Sequence, residues 1–227
     1  MSEIELKALL PGPEAADAVL RAEGLQALSE GRPRRKSLRS IYFDTPDARL
    51  RAAGIALRLR KDGRRWLQTV KRAPGGEGRG GLFALEEVET PAPGGRLDLA
   101  RLPDPALGAA VAEAQGEAPL AAVFETVIDR RLRDLATPEG RVEMAVDVGE
   151  IVAGDRRVAL HEVEFELVEG APAAIYAAAR AALSEGAWRF SEASKAARGH
   201  RLAAGRPALP DPVPRKAGAT APARGDT

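Results

Sequence analysis

Apolar and polar residues alternate along much of the chain, and a period of two is typical of β-strands that bury one face. The alternation predicts strands at Glu3–Leu10, Lys36–Asp44, Ile55–Lys61, Arg64–Arg72, Phe83–Thr90, Phe124–Leu135, Arg141–Val148 and Val158–Val168. Turn sequences such as Asp62-Gly63 and Pro138-Glu139-Gly140 separate some of these strands. About eight strands joined in this way indicate a largely antiparallel sheet or barrel.

Other segments carry apolar residues at helical spacing. The predicted helices are Pro13–Leu28, Asp104–Ala114, Pro172–Ser184 and Ser191–Ala204. The order of strands and helices is neither a βαβ repeat nor an all-helical array, so the chain is predicted to be α+β. Residues 205–227 are rich in Pro, Ala, Gly and charge, which predicts a disordered tail after a domain at residues 1–204.

The composition excludes several kinds of site. The 227 residues include no cysteine and only two histidines, which excludes thiolate chemistry and argues against a histidine-rich zinc site. Any metal must then be held by carboxylates, which favours Mg²⁺ or Mn²⁺. The 34 basic and 33 acidic residues are balanced, which argues against nucleic acid or a membrane as partner. Without a long apolar run or a signal-peptide pattern, the protein is expected to be cytoplasmic.

The charged residues of the strands repeat at spacing two, so like charges share one face. These same-face groups are Glu3, Glu5 and Lys7; Arg58 and Arg60; Glu87 and Glu89; Glu143 and Asp147; and Glu162, Glu164 and Glu166. A solvent-facing sheet would explain any one strand. Like charges repel, however, so the repetition suggests ligands that compensate them. Divalent cations would neutralise the carboxylates, and phosphates would neutralise the arginines and lysines.

A closed barrel of eight strands is wide enough for its own side chains or one small ligand. If the charged faces turn inward, the lumen holds both carboxylates and basic groups around a small polyanion. The apolar faces would then pack outward beneath the helices. Their residues are Ile4, Leu6, Leu57, Leu59, Val163 and Phe165.

Six short motifs occur along the chain in a fixed order. They are Glu3-x-Glu5-x-Lys7, Ile41-Tyr42-Phe43-Asp44-Thr45-Pro46-Asp47, Leu57-Arg58-Leu59-Arg60, Thr69-Val70-Lys71, Glu162-Val163-Glu164-Phe165-Glu166 and Ser194-Lys195-Ala196-Ala197-Arg198-Gly199. In this order they closely resemble the CYTH domain of the triphosphate tunnel metalloenzymes. The resemblance runs from Ser2 to about Leu202.

The resemblance implies an eight-stranded antiparallel β-barrel that binds a triphosphate together with Mg²⁺ or Mn²⁺. By position it implies metal-binding carboxylates at Glu3, Glu5, Asp147, Glu162 and Glu164, with Glu143 as a supplement. It implies phosphate-binding residues at Lys7, Arg58, Arg60, Lys71, Arg130 and Lys195. Among all of these, Glu5, Lys7 and Lys71 are expected to be essential for catalysis. The roles of Glu87 and Glu89 stay open between metal binding and holding the neighbouring arginines.

The activity implied by the resemblance is hydrolysis of inorganic triphosphate, a small-molecule substrate, to pyrophosphate and phosphate. Alternatives within the fold are a nucleoside or thiamine triphosphatase, an adenylate cyclase and an RNA 5′-triphosphatase. A non-catalytic polyphosphate-binding module is the alternative from another class. The sequence leaves open whether the protein is a monomer or a homodimer. His200, in a basic helix, is expected to be solvated.

Overall fold

The computed structural model describes residues 2–73, 80–183 and 186–209, so the predicted tail lies outside the described residues from position 210 onward. The strands are β1 (Ser2–Leu9), β2 (Ser29–Asp44), β3 (Ile55–Asp62), β4 (Arg65–Arg72), β5 (Leu82–Pro91), β6 (Ala121–Thr137), β7 (Gly140–Ala153), β8 (Arg156–Gly170) and β9 (Arg189–Phe190). They pair in the order β5-β4-β3-β2-β6-β7-β8-β1-β9, and β1 also pairs with β5. The pairing of β1 with β5 closes the first eight strands into the predicted barrel, and all of these pairs are antiparallel. Strand β9 pairs with the end of β1.

Helices surround the barrel, which confirms the α+β prediction. They are α1 (Pro13–Arg21), α2 (Glu23–Leu28), α3 (Arg49–Ala52), α4 (Pro105–Gln115), α5 (Ala173–Ala182) and α6 (Lys195–Ala203), with 3-10 turns at Pro93–Gly95 and Leu99–Arg101. Within the part of the chain that is described, no helix is long and apolar enough to cross a membrane.

The prediction of one helix over Pro13–Leu28 is wrong, because the chain breaks into α1 and α2 at Ala22. Ala22 has φ −54° and ψ 129°, which is not helical. The break allows Val19 and Leu25 to be buried in the same cluster. On one continuous helix these two residues, six positions apart, would point to different sides.

Strands β6 and β7 extend beyond their predicted ranges, and the starts of strand β2 and helix α6 also differ from the predictions. Strand β2 begins at Ser29 rather than Lys36, and its pairing with β6 is irregular between Glu30 and Arg34. The first residues of β2 are mostly exposed on both faces, so they show no alternation. Helix α6 begins at Lys195 because Ser194 caps it, accepting a hydrogen bond from the backbone N–H of Ala197 at 3.1 Å.

The apolar faces of the strands pack outward against the helices, as the alternation predicted. Leu6 of β1 and Phe165 of β8 are buried with Val19 of α1 and Ile175 of α5. Leu57 of β3 is buried in a second cluster with residues of α3 and α4. Helices that cover the outside of the barrel therefore stabilise a wall whose inner face is free to be charged.

One end of the lumen is apolar, which the alternation of charge did not predict. Arg130 faces the cavity, so Phe124 and Ile128, which lie at even spacing from it on β6, face inward as well. Phe124 and Ile128 are buried in a cluster with Leu160 of β8 and Leu202 of α6. Helix α6 thus fills the interior at this end and confines the charged residues to the rest of the barrel.

Candidate active site in the barrel lumen

A cavity of about 370 Å³ occupies the charged part of the lumen. Its basic lining residues are Lys7, Lys36, Arg58, Arg60, Lys71, Arg130 and Lys195. Its acidic lining residues are Glu3, Glu5, Asp62, Glu87, Glu89, Glu143, Glu164 and Glu166. The volume lies at the small end of the range of about 300–1,000 Å³ for small-molecule sites. The structure therefore brings all six predicted phosphate-binding residues to one cavity.

Three of the five predicted metal-binding carboxylates also line this cavity, namely those of Glu3, Glu5 and Glu164. Asp147 and Glu162 are fully buried and lie behind the lining, where basic side chains cover their oxygens. The antiparallel register produces this arrangement, because it places Lys7 of β1 opposite Glu164 of β8. Sequence spacing of two on neighbouring strands then carries the other charged groups to the same inner face.

Lys71 joins two carboxylates from different strands at one side of the cavity. Its Nζ lies 2.7 Å from Glu3 Oε2 and 2.6 Å from Glu87 Oε2. Burial and a hydrogen bond with Glu87 raise the pKa of Glu3. Burial opposes ionisation of Glu87 too, but its hydrogen bond with Glu3 and the charges of Lys71 and Arg58 hold its pKa below the usual range. The two pKa values are thus shifted in opposite directions, and Glu3 is the carboxyl group of the pair that holds a proton more readily.

Glu164 is the centre of a network of three basic groups. Lys7 Nζ contacts Glu164 Oε1 and lies 2.6 Å from Glu5 Oε2. Arg130 donates to Glu164 Oε2 at 2.7 Å and to both oxygens of Asp147 at 2.7 Å. Although burial acts to raise the pKa of Glu164, Lys195, Lys7 and Arg130 hold it well below its ordinary value. The carboxylate is therefore charged, and it fixes the positions of the cations around it.

Helix α6 supplies the third of these basic groups, Lys195, and one further cation, Arg198. Lys195 Nζ lies 2.5 Å from Glu162 Oε1, 2.8 Å from Asp147 Oδ2 and 2.8 Å from Glu164 Oε1. Arg198 donates from Nη1 to Glu162 Oε2 at 2.7 Å, and it is buried. Arg198 was not among the site residues predicted from the sequence. Its position three residues after Lys195, on the same face of a helix, was the available signal.

The carboxylates fit a hard divalent cation by the chemistry of their donor atoms. One oxygen each of Asp147, Glu162 and Glu164 lie within 4.8 Å of one another. These carboxylates are ion-paired to lysine and arginine side chains, so a metal bound here would displace some of those cations. Glu5 Oε1 is buried and has no hydrogen-bond partner, so it offers a free acceptor beside this group. Oxygen-only ligand sets of this kind suit Mg²⁺ and Mn²⁺.

Arg58 and Arg60 have fewer close carboxylate partners than Arg130 has. The nearest carboxylate oxygen to Arg58 belongs to Glu87, at 3.6 Å. Arg60 donates to Ser40 Oγ at 3.2 Å, and among the described residues it has no carboxylate partner within 4.0 Å. Burial, together with the charges of Arg58 and Arg130, lowers the pKa of Arg60 to about 10. An anion that bound here would relieve this repulsion.

The acidic residue of the Ile41–Asp47 motif has a structural role. Asp44 is buried and accepts hydrogen bonds from the backbone N–H groups of Thr45, Leu50 and Arg51 at 2.7, 2.9 and 3.0 Å. It therefore holds the turn into α3. His200 Nε2 lies 3.6 Å from Asp44 Oδ2 and is also buried, so the prediction of a solvated His200 is wrong.

Comparison with known proteins agrees with this architecture. Residues 1–200 match the CYTH domain family. The chain is 29% identical over 167 residues to an inorganic triphosphatase of Haemophilus influenzae, in an alignment that covers 73% of this chain and 46% of that protein. It therefore spans less than half of the length of this relative.

A solved structure from Hippeastrum has a similar fold. It is a putative adenylyl cyclase described as having a dominant triphosphatase activity. The TM-score is 0.60 at 21% identity, and the match covers 90% of this chain and 96% of the other. With the family match over residues 1–200 and the closed barrel with a charged lumen, this chain belongs to the CYTH domain family.

Proposed function

We propose that this chain hydrolyses inorganic triphosphate to pyrophosphate and phosphate inside the barrel, with Mg²⁺ or Mn²⁺ as cofactor. The observation that carries the proposal is the cavity in which all six predicted phosphate-binding residues meet the carboxylates of Glu3, Glu5 and Glu164. The relative in Haemophilus influenzae, named an inorganic triphosphatase, supports it. Residues 1–204 would form the catalytic domain.

The basic residues suit the charge of a triphosphate. Arg58, Arg60 and Arg130 lie on β3 and β6, where Arg60 lacks a carboxylate partner among the described residues. Guanidinium groups can bind two phosphate oxygens at once, so these three would fix the orientation of the phosphate chain. Phosphoryl transfer depends mainly on positioning and charge neutralisation, which is what such a set supplies.

The acidic residues would hold the metal beside the phosphates. Glu3, Glu5 and Glu164 line the cavity, and Asp147 and Glu162 lie directly behind it. When bound, the metal supplies neutralisation of phosphate charge and activation of water for in-line attack.

Two lysines connect the metal-binding and phosphate-binding groups. Lys7 is held by Glu5 and Glu164, and Lys71 is held by Glu3 and Glu87. Both ammonium groups are therefore positioned before substrate enters, and neither has to be ordered during the reaction. Their charges would stabilise the phosphate oxygens on which negative charge develops.

The cavity does not favour a substrate with a large organic group. Tyr42 is the one aromatic residue among the described residues that line it, and most of the other lining residues are charged, with four leucines among them. Recognition of a nucleobase or a thiamine ring commonly uses stacking on aromatic side chains, which this lining offers at Tyr42 alone among the described residues. Inorganic triphosphate therefore fits better than ATP or thiamine triphosphate.

The test is phosphate release from tripolyphosphate with Mg²⁺, with Mn²⁺ and with a chelator, beside ATP and thiamine triphosphate as competing substrates. We expect metal-dependent release that is fastest with tripolyphosphate. Tight binding of tripolyphosphate without hydrolysis under every metal condition would instead identify a binding module. Faster turnover of an organic triphosphate would overturn the choice of substrate.

A further inference from the structure

Tyr42 occupies a special place among the groups that line the cavity. It lies on the inner face of β2, directly opposite Arg58 of β3 in the antiparallel register. The side chain is only 4% exposed, yet it borders the cavity. It is thus the point at which the apolar end of the lumen meets the charged part.

The ring of Tyr42 is fixed by a stack that begins at helix α6. Tyr42 stacks on Phe124 with ring centroids 4.4 Å apart and an interplanar angle of 14°. The other neighbour of Phe124 is His200 of α6, in an edge contact at 5.2 Å. A Cβ atom on Gly199 would lie 2.1 Å from the Phe124 ring, so only glycine lets α6 approach this closely. The stack therefore leaves the Tyr42 ring little freedom.

The hydroxyl of Tyr42 is directed at the cations of the cavity. Arg58 is its register partner on β3, and the hydroxyl and the guanidinium interact through charge and hydrogen bonding. Although burial acts to raise the pKa of Tyr42, the charges of Arg58, Arg60 and Lys195 bring it below its usual range. The hydroxyl oxygen thus lies in a strongly positive environment, where it acts as an acceptor.

Arg58 has few other contacts that would fix its position. Its ion pair with Glu87 is long, at 3.6 Å, and its buried Nε has no hydrogen-bond partner. Arg130, by contrast, is held by three hydrogen bonds of 2.7 Å to carboxylates. Of the two arginines, Arg58 is therefore the one whose orientation depends on a neutral neighbour.

We propose that Tyr42 is a positioning residue for triphosphate binding: its clamped ring and its hydroxyl hold the Arg58 guanidinium in the orientation that binds the phosphates. The inference rests on the proposed function, since it takes triphosphate as the ligand of Arg58. Tyr42 contributes through Arg58 rather than through a contact of its own with the substrate. Loss of the hydroxyl should therefore weaken binding more than it slows turnover.

The first test is the variant Tyr42→Phe, which keeps the stack on Phe124 and removes only the hydroxyl. The net contribution of one hydrogen bond predicts a rise in KM for tripolyphosphate of about 2- to 10-fold, with kcat changed less. Tyr176→Phe is the matched control, because Tyr176 is the other tyrosine of the chain and lies exposed on α5. An unchanged KM, or a loss in kcat alone, would overturn the proposal.

The second test is a double-mutant cycle with Arg58→Met. Tyr42→Phe should have almost no effect on binding in the Arg58→Met background, because the group it positions is already gone. Equal effects in both backgrounds would show that Tyr42 acts independently of Arg58, which would overturn the proposal. Phe124→Leu, which keeps the hydroxyl and removes the stack, should raise KM in the same way and should also lose its effect beside Arg58→Met.

Binding and hydrolysis are measured separately so that two failures can be told apart. Isothermal titration calorimetry with tripolyphosphate, in the presence of a chelator that prevents turnover, gives the binding affinities for the double-mutant cycle. If the wild type binds but never hydrolyses, the proposed function is wrong, while the cycle still decides the role of Tyr42. If the wild type hydrolyses and the cycle shows no coupling, only the positioning role is refuted.

Discussion

The contact between Gly199 and Phe124 allows a sharp prediction about how α6 is seated in the barrel. An added methyl group in Gly199→Ala would meet three atoms of the Phe124 ring at 2.1, 2.2 and 2.4 Å. The ring cannot easily retreat, because Tyr42 is stacked on it at 4.4 Å. We therefore expect α6 itself to shift, and the ammonium of Lys195 at its first turn to shift with it.

Two opposing effects set the size of the change in stability. Replacing a helical glycine with alanine normally stabilises by about 0.5–1 kcal/mol. Overpacking a filled core destabilises by about 1–3 kcal/mol, and it is the larger effect at this distance. The net loss should be about 1–2 kcal/mol, which for a domain of this size lowers Tm by roughly 2–8 °C.

Thermal unfolding and the KM for tripolyphosphate are the measurements, and Gly108→Ala is the matched control. Gly108 lies within helix α4 and has no atom within 4 Å of its would-be Cβ, so this variant should become more stable. Gly199→Ala should lose stability and show a raised KM. If Gly199→Ala were as stable as Gly108→Ala, the packing of α6 against Phe124 would be wrong.

The remaining predictions concern charged residues. Glu5→Gln and Lys7→Ala should stay folded but lose triphosphatase activity by on the order of 10²–10³-fold. Lys61→Ala, on the exposed outer side of β3, is the control and should keep its activity. Near-normal turnover by Glu5→Gln or Lys7→Ala would contradict the site. Because burial raises the pKa of Glu3, Mn²⁺ binding should tighten as pH rises through that pKa, and a titration of Glu3→Gln should lack this slope. In the metal-free protein the same raised pKa means that stability is lost as pH rises through it, so Tm should fall more for the wild type than for Glu3→Gln. Asp44→Ala leaves three backbone N–H groups without an acceptor and should cost about 3 kcal/mol in urea unfolding, whereas a change below about 1 kcal/mol would refute its capping role.

Most features of the barrel and its cavity could be predicted from the alternation of apolar and charged residues in the strands. A period of two is a local property, so the common face of Glu3, Glu5 and Lys7 can be read directly from the sequence. The inward direction of that face could be inferred because repeated like charges need a ligand. Closure by pairing of β1 with β5, in contrast, came from the family resemblance and not from any local pattern.

The parts that sequence could not supply depend on contacts between distant residues. Asp147 and Glu164 look alike in their strands, but only Glu164 borders the cavity. Asp147 is covered by Arg130 of β6 and by Lys195 of α6, and no spacing rule places that helix against the inner face of the barrel. Phe124 was likewise one apolar residue among many until the structure put it between α6 and Tyr42.

The pairing of cations with carboxylates in the lumen has a consequence for selectivity by charge. Every basic residue that lines the cavity, apart from Arg60, is already ion-paired within the described chain. An entering anion must therefore exchange places with internal carboxylates, as in an ion-exchange resin. Orthophosphate can replace few of them and gains little over the existing pairs. A chain of linked phosphates replaces several carboxylates at once but loses translational freedom only once. Affinity should therefore rise steeply with the number of linked phosphates.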